Sequence, residues 1–159
     1  MNDFERILAL DIRARRFGFV VFEGPKMLLD CGVKNFCASK RNAVKVSVSD
    51  KIRTLTRDYS PSAIVVRKRE GHMDRAGILR SLLRLAEELD IPVVFISHEE
   101  IALAFAAAAE HKQTLASVIA EQFLALIARL PPRRKCWQSE DYRMSMFDAA
   151  AAGMAYLAE

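Results

Sequence analysis

Asp11 and Asp148 are the residues of this chain best placed to do chemistry. Asp11 closes an apolar run, Ile7-Leu8-Ala9-Leu10, and Asp148 heads a run of small residues from Ala149 to Gly153. A carboxylate among apolar neighbours is costly to desolvate unless it is paired, hydrogen-bonded or bound to a metal. Two such acids, from opposite ends of the chain, point to a carboxylate metal site assembled by the fold.

The basic residues gather in four groups: Arg13/Arg15/Arg16, Lys40/Arg41, Arg67/Lys68/Arg69 and Arg133/Arg134/Lys135. Several fall at strand ends or in loops, where a charged surface can face one anionic ligand. Each group taken singly also reads as solvated surface charge. Trp137 follows the last group. It either stacks a base while the arginines hold phosphates, or packs its loop onto the body of the protein. The net charge of +4 leans the same way as the clusters, toward nucleic acid.

These residues need elements to position them. The runs Ile7–Ile12 and Phe17–Phe22 read as strands, separated by a tight basic turn, and Glu23-Gly24-Pro25-Lys26 turns the chain into a third strand over Met27–Phe36. Val44, Val48, Ile52 and Leu55 recur at helix spacing, so a helix over 42–59 follows and ends before Ser60-Pro61-Ser62. Ala63–Val66 is short and wholly apolar, as a central parallel strand is. Residues 71–77 form a loop, after which Ile78, Leu82, Leu85, Ala86 and Leu89 mark a helix. Pro92–Ile96 is a fifth strand, and Ser97 caps a helix that begins with His98-Glu99-Glu100. A long helix covers Thr114–Leu130, burying Leu115, Val118, Ile119, Phe123, Leu126 and Ile127, and Pro131-Pro132 stops it. A basic loop over Arg133–Arg143 leads to a last, alanine-rich helix over Ser145–Leu157. Phe17, Phe19, Phe123, Met144 and Met146 read as core. A meander passing into parallel β-α units gives an α/β fold, a mixed five-stranded sheet flanked by helices.

At 159 residues, 52% hydrophobic and 28% charged, the chain is expected to form one domain over 1–159 with a core of its own. Cys31, Cys37 and Cys136 are an odd, scattered set without C-x-x-C spacing, which favours a reducing compartment such as the cytoplasm. The first strand begins almost at Met1, so no signal peptide is expected. The most apolar stretch, Ile101–Ala109, is too short to cross a bilayer, and no membrane partner is expected.

The order of elements, with one acid on the first strand and another at the last helix, resembles the ribonuclease H-like fold. Within it the chain resembles the RuvC-type Holliday-junction resolvases, with the YqgF-type group a near relative. Four features carry the resemblance: Asp11 followed by Gly18, Pro61 before the strand Ala63–Val66, Lys112-Gln113-Thr114 opening a helix that ends Ala128-Arg129-Leu130-Pro131, and Asp148-Ala149-Ala150 with small residues after it. It implies a nuclease that hydrolyses phosphodiesters in branched DNA, Mg²⁺ or Mn²⁺ held by Asp11 and Asp148, Lys112 near a phosphate, and a homodimer. Two-metal hydrolysis of this kind places its ions about 3.5–4 Å apart.

The chain departs from that pattern at three places. Arg13 stands where a glycine is usual, Arg67 where the second acid falls, and Ser145 where a further acid precedes the terminal aspartate. A second ion would then need Glu70, Asp74, Glu140 or Asp141. Glu70, three residues past the expected position, is either a relocated catalytic ligand or a solvent-facing loop acid, and His72 beside it could assist proton transfer. Arg67 either forms a buried ion pair with Asp11 and Asp148 in place of metal, or turns outward to a phosphate. Two functions follow: a resolvase-like, Mg²⁺- or Mn²⁺-dependent endonuclease on branched DNA, and a catalytically inactive protein of this fold that binds DNA, structured RNA or a protein partner. A ribosomal-RNA processing role, as suggested for the YqgF-type group, is a third.

Overall fold

A computed structural model describes residues 5–36, 41–69 and 77–159. Glu70, His72 and Asp74, with Cys37 and Lys40, lie outside the described residues.

Strands β1 (Arg6–Ile12), β2 (Arg16–Glu23) and β3 (Leu28–Asn35) form the antiparallel meander expected from their short connections. Helix α1 (Arg41–Tyr59) then carries the chain across to β4 (Ala63–Arg67), which pairs in parallel with β1. Helix α2 (Ile78–Glu88) leads to β5 (Val93–Ile96), parallel to β4. The sheet order is β3-β2-β1-β4-β5, so β1 is central, flanked on one side by β2 and on the other by β4.

Alternation along the strands sends successive side chains to opposite faces. Leu8, Leu10, Phe17, Phe19, Val21, Ile64 and Val66 pack on α1 and α2 through Val48, Ile52, Leu55, Ile78, Leu82 and Leu85. Ile7, Ala9, Val20, Phe22, Ala63 and Val65 face the C-terminal helices. These are α3 (His98–Phe105), a 3-10 turn at Ala106–Glu110, α4 (Lys112–Gln122), α5 (Leu124–Ile127) and α6 (Met144–Leu157). Ser97 caps α3 as expected: its hydroxyl accepts from the Glu100 amide (3.2 Å), and the Ser97 amide donates to the Glu100 carboxylate (2.6 Å).

Two expectations need correction. The helix expected over 114–130 is broken at Phe123, whose backbone is extended (φ −135°, ψ 113°). The break turns Phe123 inward against Phe22, with ring centroids 5.6 Å apart, and leaves Ile127 exposed. The last helix begins at Met144, one residue ahead of the expected start at Ser145, so Asp148 sits one turn inside it.

That helix is buried nearly all round, from Met144 to Gly153, and its small residues let it lie against the centre of the sheet. Gly18 and Gly153 set the distance. A Cβ on Gly18 would stand 2.2 Å from the Ser145 carbonyl group and 2.3 Å from the Met146 nitrogen, and one on Gly153 would stand 2.6 Å from the Phe22 ring. Gly18 pairs directly with Asp11 across the β1–β2 ladder. The first turn of α6 therefore rests beside Asp11, and the next brings Asp148 to it.

Candidate functional site

Asp11 is wholly buried and Asp148 is 4% exposed. Because Ala9 faces the C-terminal helices, Asp11 leaves β1 on the same face, under α6. The two acids expected to meet do share a site.

The β1–β2 turn, closed by the Arg13 amide on the Arg16 carbonyl (2.9 Å), folds Arg13 back over the acids. Its Nε donates to Asp11 Oδ2 (2.9 Å), one Nη to Asp148 Oδ2 (2.6 Å) and the other to Glu140 Oε2 (2.7 Å). Arg69, just past β4, grips Asp11 at both oxygens (2.9 Å each), and its Nη2 also reaches Asp148 Oδ2 at 3.2 Å. Lys112, first residue of α4, donates to Glu140 Oε1 (2.8 Å) and approaches Asp148 Oδ2 (3.4 Å). Three carboxylates are thus knitted to three cations.

The electrostatics follow from that lattice. Burial disfavours charge on Arg13, but Asp11, Asp148 and Glu140 outweigh it and hold the guanidinium more firmly protonated than in water. Arg69 is raised in the same way against burial, chiefly by its bonds to Asp11. Burial alone would raise Glu140, yet Lys112 and Arg13 hold its carboxyl down at about 2. Asp148 moves the other way: burial and the neighbouring Asp11 push it above the usual carboxylate range, against the pull of Lys112, Arg67 and Arg13.

Arg67, expected to pair with Asp11 and Asp148 if it faced the site, does face it but makes neither bond. Val65 packs toward α6, so Arg67 leaves β4 on that side, level with Asp11. Arg69, two residues on and of the same parity, takes the carboxylate instead. The alternation of β4 was the signal for Arg69, since i and i+2 share a face. The reach of Arg13 depends on the turn and had no such signal. Glu140, named as an acid able to swing in, does reach the cluster, where it bridges Arg13 and Lys112; Asp141 instead accepts from Arg143 (2.9 Å).

A divalent ion does not suit this donor set as it stands. Mg²⁺ or Mn²⁺ at about 2.1 Å from an Asp11 oxygen would lie within about 5 Å of a guanidinium nitrogen. Charges of +2 and +1 at that separation repel by about 7 kcal/mol at an effective dielectric of about 20. Both Asp11 oxygens are already taken, and the described residues contain no group of three His, Cys, Asp or Glu side chains able to hold a metal.

The other expected contacts are peripheral. Arg15, Lys68, Arg133, Arg134 and Lys135 are exposed, and Arg16 is half-buried. Trp137 is 75% exposed and does not pack on the body; the Lys135 ammonium sits 5.2 Å from its ring centroid. Beside the cluster, Lys112, Gln113, Pro131, Arg133, Arg134 and Glu140 line a groove of about 740 Å³. It runs from Lys112 and Glu140, at the edge of the cluster, to Arg133 and Arg134 of the basic loop.

With this geometry the solved structures can be weighed. No family model and no curated protein matches the sequence. Thermus thermophilus RuvC in complex with a Holliday junction superposes with a TM-score of 0.70 at 16% identity, over 95% of this chain and 91% of that one. The chain has the RuvC-type, ribonuclease H-like fold. The yeast mitochondrial Holliday junction resolvase shares that fold (TM-score 0.65, 14% identity, 97% of this chain and 78% of that one). So does the fowlpox virus resolvase (TM-score 0.61, 13% identity, 96% and 98%). All three are Holliday junction resolvases.

Proposed function

We propose that this protein binds branched nucleic acid, a four-way DNA junction foremost, on a RuvC-type fold whose Asp11/Asp148 centre does not hydrolyse it. One observation carries the reading: Arg13 and Arg69 occupy both oxygens of Asp11 and Oδ2 of Asp148, where hydrolysis on this fold would need a cation held. The acids serve instead to fix two arginines behind Glu140, which Arg13 bonds and which lines the groove. Arg133, Arg134 and Lys135 hold phosphates along it, and exposed Trp137 offers a face for a base to stack on. A four-way junction has two-fold symmetry, so the binding species is a homodimer.

A second reading, metal-dependent cleavage, draws on the convergence of Asp11 and Asp148 from β1 and α6. It requires Arg13 and Arg69 to withdraw and Glu70 to supply a third carboxylate.

A labelled four-way junction, linear duplex and single strand, each with Mg²⁺ and with Mn²⁺, separate the two. The account expects a gel shift strongest on the junction, with no cleavage in either metal. Symmetric cleavage lost in both Asp11→Asn and Asp148→Asn would overturn it in favour of the nuclease. Absence of any shift would overturn nucleic-acid binding altogether.

A further inference from the structure

Among the described residues, Arg67 faces the cluster without bonding to it. Arg13, Arg69 and Lys112 balance Asp11, Asp148 and Glu140 charge for charge through their ion pairs. Arg67 is a fourth cation on the same sheet face. It feels Asp148 through space, but its side chain forms no ion pair or hydrogen bond with any described residue. Its Nε is buried and has no acceptor. A buried donor without a partner loses its hydration and gains nothing in exchange. The residue is only half-buried, however, so the rest of its guanidinium is open to an acceptor from outside the chain.

Both Asp11 oxygens and Asp148 Oδ2 are held by Arg13 and Arg69, and Arg67 bonds to none of them. An acceptor carrying its own negative charge suits a site where the described side chains, four cations and three carboxylates, leave a balance of +1. A planar guanidinium presenting parallel donors suits a phosphate oxygen pair better than a single carbonyl.

We propose that Arg67 receives a non-bridging phosphate oxygen of the bound nucleic-acid backbone, so that a centre laid out for cations has become one for an anion. This rests on the nucleic-acid reading above and names its central contact. The phosphate is held by Arg67 directly, without an intervening metal, and Arg13 and Arg69 are kept from it by their own carboxylates.

Binding of a four-way junction is measured for wild type, Arg67→Met and Arg67→Lys across a range of salt, without divalent ions, alongside thermal unfolding. Each phosphate contact contributes about 0.9 to the slope of log affinity against log salt. Arg67→Met is expected to weaken binding about tenfold and to lower that slope by about one. Arg67→Lys is expected to keep the slope and most of the affinity. The melting temperature of Arg67→Met is expected to hold or rise, because the orphaned donor is gone. Equal affinity and slope in wild type and Arg67→Met would overturn the contact while leaving nucleic-acid binding intact. So would a loss of affinity with unchanged slope and a lowered melting temperature, which marks a structural role. A wild type that binds no junction would overturn both readings together.

Discussion

At the scale of the residue, the centre is an ion-pair lattice, and its worth lies in completeness. A buried ion pair gains little over apolar packing, but removing one partner strands the other, at a cost of about 3–5 kcal/mol. Asp11→Ala takes from Arg13 and Arg69 the buried carboxylate they share, leaving two cations crowded on Asp148, so a loss near that range is expected in denaturant unfolding. Arg69→Met is expected to cost about half as much, because Arg13 still holds Asp11 Oδ2. Acid titration offers a second check. Glu140 is held at about 2 in the fold against an ordinary 4.5, so its stabilising share is complete above about pH 4.5 and fades as pH falls toward 2. Asp148 is raised, so acid relieves rather than removes its contribution. Glu140→Gln is therefore expected to flatten the acid limb of the melting-temperature profile; an unchanged limb would mean that Glu140 is not clamped by Arg13 and Lys112.

At the scale of the element, the position of α6 decides whether the two acids meet, and Gly18 decides the position of α6. A methyl group at residue 18 runs into backbone, which cannot swing aside as a side chain can. Gly18→Ala is expected to lower stability by about 3 kcal/mol, at the upper end for overpacking, and to weaken the Asp11–Asp148 lattice with it. A melting temperature within a degree of wild type would show that α6 does not bear on β2 there. The strands and most helices were legible because their patterns were clean: unbroken apolar runs in β1, β2 and β4, and three-to-four spacing in α1 and α2. The break at Phe123 was not. Its apolar neighbours continue a helical pattern, and only the packing of Phe123 on Phe22 across the fold selects the extended backbone. Asp11 and Asp148 were legible as a pair because buried acids are rare. The bonds of Arg13 were not, since they depend on how the β1–β2 turn folds back, whereas Arg69 shares the face of Arg67 by its i+2 spacing.

At the scale of the whole molecule, a central β1 between an antiparallel and a parallel neighbour puts the ends of β1 and β4 side by side under α6. This is the frame shared with the junction resolvases, at 13–16% identity. No helix among the described residues is long and apolar enough to cross a membrane. Homodimerisation, the form suited to a two-fold junction, predicts a solution mass near twice 17.9 kDa by light scattering, and a monomer at junction-binding concentrations would contradict it. If Arg13 and Arg69 stand at the two aspartates in place of a metal ion, Mn²⁺ titration followed by electron paramagnetic resonance reads it out. The account predicts no saturable binding by wild type up to millimolar Mn²⁺, and a new site in Arg13→Ala/Arg69→Ala that is lost when Asp11→Asn is added. One tightly bound Mn²⁺ per wild-type chain, abolished by Asp11→Asn, would contradict it.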